Sequence, residues 1–465
     1  MLDPDQAPDR DDAVDGAGLT ASATRPTAAP TAWRRVRDVA ARTPAVWVAF
    51  AAVHLWIAWC GVLAMPNRVF WDLSLYRYWV ADGLVNGHWP VLDESWVYPA
   101  GALVPLVLVG WSARGLTAFG LTVDEAFATV WTVMVTALNV VAARGLLRRP
   151  GGRVAVWWWV GFLAALGPVA VGRLDALVPP LVVLALLAVA ERPRLAAVLL
   201  TVGAWIKVAP GALLVPVVVS LRRSWHAAVW PAVAVCVAVL GTVGLLGGSH
   251  VWSFLSAQGD RGMQVESVGA SPWLVWGLFS SAVQRPYNDQ IITYEVTGPG
   301  VQTAWHVLDG AFYVAMLAVA ALLAWRAWGP RRLPAAELVA RGSLLVLLTM
   351  IVTNKVLSPQ YLAWLAAPVA VALAWQLPRW RRTAWTLLGV VAATQVIFPW
   401  GYTEMLAAQP AATLVLVARN LALVALWAVT AWAVVRPAVT EDDRAAPTPA
   451  EDATDENDQV VASTT

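Results

Sequence analysis

Of the 32 basic side chains in this 465-residue sequence, only two are lysines, Lys207 and Lys355. They stand in Ile206-Lys207-Val208-Ala209-Pro210 and in Asn354-Lys355-Val356-Leu357-Ser358-Pro359-Gln360-Tyr361. Each closes a long apolar run and precedes a proline. An ammonium at a bilayer edge is costly unless it is paired or reaches water, and as a compact point charge it suits a phosphate. Snorkelling to the interface is the other reading, but it does not explain why arginine is not used there. A carboxylate comes earlier, in Phe70-Trp71-Asp72-Leu73-Ser74-Leu75-Tyr76-Arg77-Tyr78. Flanked by Trp and Tyr at a membrane surface, Asp72 can take a proton from a sugar hydroxyl as a general base, or simply cap a short helix. In Gly172-Arg173-Leu174-Asp175, Arg173 can meet a phosphate or pair with Asp175. In Trp96-Val97-Tyr98-Pro99-Ala100-Gly101 the proline opens an apolar run, and the aromatic rings beside it can stack on a sugar. The segment 248–304 adds His250, Asp260-Arg261-Gly262, Glu266, Arg285, Asp289 and Glu295, with His306 just beyond. None of these has metal-ligand spacing. Within 33–436, HExxH, DxD, P-loop and GxGxxG motifs do not occur, so a nucleotide-sugar or ATP site is not expected.

The elements that must carry these residues follow from composition. Hydrophobic residues make up 59% of the chain and charged residues 13%, with a mean hydropathy of +0.61. A soluble domain carries roughly a quarter charged residues, so this is a polytopic membrane protein. A spanning helix needs about 20 apolar residues. Candidate spans are 45–65, 126–147, 154–171, 176–190, 195–207, 209–221, 226–247, 305–327, 341–353, 361–376, 383–399 and 411–435, about twelve helices in an all-α bundle. The pair Pro179-Pro180 blurs one boundary. The run 99–113 reads as an interfacial or re-entrant helix within a long first outer loop, because a span there would put Arg148, Arg149 and Arg153 on the wrong side.

Arginines 34, 35 and 37, then 148, 149 and 153, 192 and 194, 222 and 223, 331 and 332, and 379, 381 and 382 fall in alternate loops. The positive-inside bias makes those loops and both termini cytoplasmic. Residues 1–32 and 437–465 hold 14 acids and three bases, which leaves 16 acids and 29 bases, net +13, for 33–436. The two end segments read as disordered tails around one membrane domain, 33–436. No secretory leader is expected before Ala45, since the first 30 residues lack an apolar core. Cys60 and Cys236 suggest neither a disulfide nor a metal site.

An early outer Asp, a Tyr-Pro-Ala run, a Gly-Arg-x-Asp turn, a Lys-x-x-Pro turn and a late Lys-Val-x-Ser-Pro-Gln-Tyr follow one another in order. That series resembles bacterial glycosyltransferase family 87, polyprenyl-phosphate-mannose-dependent mannosyltransferases of the multi-pass GT-C fold. The resemblance covers roughly 45–435. It implies an inverting, metal-independent transferase in the cytoplasmic membrane that uses a lipid-phosphate sugar on the extracytoplasmic face. By that resemblance Asp72 matches the base, and Lys207 and Lys355 match positions near the donor phosphate, with Arg173 beside them. Arg173 stands where Gln is commoner, and Ala100 where a second Pro is commoner. Tyr76, Tyr98, Asp175, Gln360, Tyr361 and His306 are the candidate substrate contacts. The expected partners are membrane lipids, the polyprenyl-phosphate-linked sugar and a glycolipid or glycan acceptor, with no cofactor and no nucleic acid. Both lysines are expected to face one cavity with Asp72. A transporter or lipid flippase would instead put charges near the midplane of repeated, broken helices. A lipid-linked glycan polymerase or ligase would share the outer location.

Overall fold

A computed structural model describes residues 43–436 apart from 260, 290 and 331. The two expected tails, together with Arg34, Arg35, Arg37, Asp260 and Arg331, lie outside the described residues. The helices in chain order are α1 (Thr43–Ala58), α2 (Trp71–Asn86), α3 (Leu103–Thr117), α4 (Val123–Leu147), α5 (Gly152–Leu166), α6 (Val178–Ala188), α7 (Pro193–Ile206), α8 (Leu214–Leu221) and α9 (His226–Leu245). They continue with α10 (Ser253–Gly259), α11 (Ser271–Trp276), α12 (Val301–Trp328), α13 (Ala335–Val352), α14 (Ala366–Ala374), α15 (Trp380–Gln395), α16 (Tyr402–Leu406) and α17 (Pro410–Val435). Two-residue strands, β1 (Tyr287–Asn288) and β2 (Thr293–Tyr294), pair antiparallel between α11 and α12.

Among the described residues nine helices are long and apolar enough to cross a membrane: Pro44–Ala64, Ala100–Thr117, Val123–Leu147, Gly152–Ala170, His226–Leu245, Val301–Trp328, Ala335–Val352, Trp380–Trp400 and Pro410–Val435. A helix suits hydrocarbon because it satisfies its own backbone polar groups. The expected count of twelve is not confirmed. Three of the expected spans fall on shorter apolar helices, Leu174–Ala188, Pro193–Ile206 and Pro359–Ala374. The stretch 209–221 divides into a turn, Ala209–Ala212, and α8. The run read as interfacial, by contrast, lies in Ala100–Thr117 and meets the length and hydropathy of a span.

The short helices gain their place by packing. α6 lies against α4, α7 and α14, and α13 against α12, α15's partner α17, and α8. Of the most apolar window of α13, 72% is buried, against 11% for α9 and for α12, whose bare apolar surfaces are suited to lipid. Pro179 and Pro180 do not interrupt α6; they sit in its first turn, where the missing N–H has no intrahelical partner to lose. α7 stops at Ile206 because Lys207 turns extended, φ −152° and ψ 130°, and the turn holding Pro210 follows.

One crowded contact ties the turn 171–175 to the start of α2. A Cβ on Gly172 would lie 2.4 Å from the Phe70 ring and 2.8 Å from the Val69 carbonyl. Only glycine lets these two segments approach so closely. From the other side, Trp131 of α4 donates its indole N–H to the Val171 carbonyl at 2.7 Å. The turn that carries Arg173 and Asp175 is therefore clamped between α2 and α4.

Candidate active site

The clamp brings Arg173 to Asp72. Arg173 Nε lies 2.9 Å from Asp72 Oδ2. Its Nη1 donates to the carbonyls of Val69 at 2.9 Å and Gly172 at 3.0 Å, and its guanidinium lies 6.0 Å from the centre of the Phe398 ring. Asp72 occupies the first turn of α2, whose N-cap is Phe70 with no side-chain cap. Its carboxylate is thus not used for capping. Arg173 is 8% exposed at its side chain and Asp72 23%, which leaves the acid reachable from outside while its partner stays fixed. Asp72 Oδ1 has no hydrogen-bond partner among the described residues.

Asp175 does not pair with Arg173. Its Oδ2 lies 3.4 Å from Lys207 Nζ, and its Oδ1 accepts the Trp364 indole N–H at 2.8 Å. The same ammonium sits 4.7 Å from the centre of the Tyr98 ring and 5.5 Å from that of Tyr361. A cation over an aromatic face is drawn by the ring quadrupole. Burial works against the charge on Lys207, but the Asp175 carboxylate and the two tyrosines outweigh it and hold the ammonium above the ordinary lysine value of 10.5.

Tyr76 joins the two halves of the cluster. Its hydroxyl lies 3.3 Å from that of Tyr98 and accepts the Leu174 N–H at 3.4 Å. Tyr76 is buried, and burial pushes its phenol, like that of Tyr98, above the usual tyrosine range. It braces the turn from beneath and presents no open face. Asp72, Tyr76, Tyr98, Arg173, Asp175, Lys207 and Tyr361, which span almost 300 positions of sequence, form one connected group. Two carboxylates, two fixed cations and a partly exposed wall of aromatic rings make a site able to remove a proton and receive an anion.

The model of glycosyltransferase family 87 matches residues 96–359, more than half of the chain. The chain belongs to glycosyltransferase family 87. Searches of curated proteins and of solved structures found no match. The matched span of this membrane glycosyltransferase includes Tyr98, Arg173, Asp175, Lys207, His306 and Lys355 but begins after Asp72. The family match and the ion pair at Asp72 are therefore separate observations.

Lys355 is placed apart from this group. Its ammonium bonds Asp309 Oδ2 at 2.9 Å and the Gly259 carbonyl at 3.1 Å, and it reaches neither Asp72 nor Asp175 within ion-pair distance. The lysine is 4% exposed at its side chain. Its carbonyl accepts the Gln264 N–H at 3.0 Å, which begins a strap over 262–267. Farther along the strap, Glu266 meets Arg419 of α17 at 3.7 Å. Burial raises the Glu266 carboxyl to about 7 against the pull of Arg419. Gln360 is half-buried at the start of the turn that holds Tyr361, and His306 is exposed on α12 beside Trp305. Neither is drawn into the Asp72 group.

Three contributors escaped the sequence. Trp364 is three residues from Tyr361, but nothing marks its N–H among 29 tryptophans. Phe398 carries no polar signal. Asp309 did offer one: an acid inside an apolar 28-residue helix is costly enough to require a partner.

Proposed function

We propose that the transferase moves a hexose, mannose, from a polyprenyl-phosphate donor to a glycolipid or cell-envelope glycan acceptor on the extracytoplasmic face of the bacterial cytoplasmic membrane. The support that carries this reading is the Asp72–Arg173 pair at 2.9 Å beside the Lys207–Asp175 pair at 3.4 Å. Asp72 is the base. Arg173 holds one of its oxygens and thereby aims the other at the acceptor hydroxyl. That hydroxyl oxygen attacks the anomeric carbon from the face opposite the phosphate, its proton passes to Asp72, and the bond from the anomeric carbon to the phosphate oxygen breaks. The configuration inverts. The phosphate leaves with the bonding electrons and remains attached to its lipid.

Charge grows on that phosphate during bond breaking, and Lys207 and Arg173 are the cations within the group. A preorganised donor aimed at developing charge contributes roughly 3 kcal/mol, and general-base assistance on the order of a hundredfold or more. Tyr98 and Tyr361, whose rings lie beside the Lys207 ammonium, are the aromatic contacts assigned to the sugar. A GT-C bundle with cytoplasmic termini belongs to this reading. The test is a donor screen with purified protein in proteoliposomes, comparing polyprenyl-phosphate-mannose, -glucose and -arabinose with nucleotide sugars, with and without EDTA. Transfer from the mannose lipid, unaffected by EDTA and with inverted product, is expected. Use of a nucleotide sugar in its place overturns the donor assignment.

A further inference from the structure

We propose that Trp364 is the positioning residue for the Lys207 ammonium, holding it where the departing lipid phosphate develops its charge. The inference rests on the assignment of Lys207 to that phosphate. Trp364 grips Lys207 through two intermediaries. Its N–H bonds Asp175 Oδ1 at 2.8 Å, and the opposite oxygen of that carboxylate faces Lys207 Nζ at 3.4 Å. Its ring stacks on Tyr361 at 4.3 Å and 19°, and the Tyr361 ring lies under the same ammonium at 5.5 Å. The two aromatic residues share the 3₁₀ segment Pro359–Leu365. In such a helix residues i and i+3 eclipse, so the stack is built into the backbone.

The tryptophan's bond differs from its peers. Trp131, Trp158 and the half-buried Trp273 direct their indole N–H to backbone carbonyls, and Trp427 directs its own to the Thr349 hydroxyl, neutral partners of the kind an indole usually finds. Trp364 directs its own to a charged carboxylate that is 2% exposed at its side chain. Without that bond Asp175 would keep one partner, and a buried carboxylate with open acceptor sites reorients toward whatever donor it finds. Lys207 has a flexible four-carbon stem and no geometry of its own. The contact of 3.4 Å also leaves N–H bonds of the ammonium for a phosphate. Trp364 acts through Asp175 and Tyr361 and touches neither substrate.

The experiment measures binding of polyprenyl phosphate, the lipid anion common to donors of this class, to full-length protein in nanodiscs across pH 7 to 11. Trp364→Phe retains the stack and loses the N–H; Asp175→Asn removes the charge. Each should weaken binding on the order of tenfold to a hundredfold, the usual consequence of a misplacement near 1 Å. Each should also move the alkaline loss of binding to lower pH, because burial then acts on Lys207 less opposed. In a Lys207→Ala background, Trp364→Phe should add nothing further, since the effect runs through the missing ammonium. Equal effects of Trp364→Phe with and without Lys207 would overturn the proposal and leave the phosphate assignment standing. Unaltered binding in Lys207→Ala would overturn both. Should Trp364→Phe fail to fold, Asp175→Asn in the same cycle decides the matter, with an unmoved alkaline limit counting against the proposal.

Discussion

Lys207 and Lys355 look alike in sequence, each ending an apolar run ahead of a proline, yet the fold puts them in opposite conditions. Lys207 lies 3.4 Å from its carboxylate, over two aromatic faces, in contact with the group that contains Asp72. Lys355 is bonded at 2.9 Å to Asp309 and at 3.1 Å to a carbonyl. The first ammonium has a charge partner and keeps donor capacity. The second gives two of its three N–H donors to protein partners, one of them a carboxylate at full hydrogen-bond contact. Asp175 is buried and fixed by Trp364, whereas Asp309 is 43% exposed on the sparsely buried α12. The contrast teaches that a motif reports where a charge must be tolerated, and the partner decides whether the charge is available. On the proposed reading Lys207 serves the chemistry, while Lys355 ties the strap 262–267 and the end of α10 to α12.

The largest effect that sharpens this contrast is on Asp72. Asp72→Asn should reduce transfer by at least about a hundredfold, the scale of general-base assistance, a loss measured per folded molecule because the substitution also leaves the buried Arg173 without its countercharge. Near wild-type transfer by the reconstituted variant would dismiss the base. Lys207→Ala comes next, with a loss of roughly a hundredfold from one missing electrostatic donor worth about 3 kcal/mol. Lys207→Arg should recover only part, since a planar fork does not match a point-charge site. The sign of the pH dependence follows from the raised Lys207. An ammonium stabilised by folding is fully charged below 10.5 and loses its contribution only as pH climbs past its folded value. Any alkaline fall in wild-type activity below that point must then have another origin, which a pH-rate profile of Lys207→Arg can check.

The strap gives a third expectation, in stability. Burial raises the Glu266 carboxyl from 4.5 to about 7. An acid held above its unfolded value favours the folded state at low pH, and that contribution is lost as pH rises through the window from 4.5 to about 7. Thermal melts of the protein in detergent should therefore show a component that declines across this window. Glu266→Gln, which cannot ionise, should flatten it. A decline of the same size in the variant would assign the slope to other groups.

What could be read from sequence was what depends on local composition. Apolar runs marked α1, α4, α9, α12 and α17, because hydrocarbon imposes one rule on every span. Asp72, Arg173, Asp175 and Lys207 were legible as charges in turns beside apolar runs, and the structure brings them into one group. Partner choice was not. Arg173 and Asp175 are two residues apart and looked like a pair, but Arg173 is extended, φ −142° and ψ 155°, whereas Asp175 already lies in the 3₁₀ segment Leu174–Leu177, so the two side chains do not share one strand face. One meets Asp72 and the other meets Lys207. Short helices such as α6 and α8 were counted as spans because their runs are apolar, but packing rather than bilayer thickness sets where they end. Trp364 was hidden because an indole N–H matters only once a carboxylate faces it.

The smallest expected effect on transfer is the one that can break the comparison, at the Lys355–Asp309 pair. If Lys355 is a fastener, Lys355→Met and Asp309→Asn should behave alike. Each removes half of a contact that joins α12 to the outer loop, each should lower the melting temperature, and neither should change donor affinity by more than about twofold. The stability loss should be larger for Asp309→Asn, because it leaves a buried ammonium with a carbonyl but no countercharge. Lys355→Met leaves only a carboxylate that already reaches water. If Lys355 instead serves the donor phosphate, the two variants must diverge. Lys355→Met would then weaken polyprenyl-phosphate binding roughly as much as Lys207→Ala. Asp309→Asn would tighten it, by releasing a lysine that a carboxylate had occupied. Titrating the lipid phosphate onto both variants reads this directly, and the sign for Asp309→Asn is decisive, since loss of a fastener has no means of raising affinity.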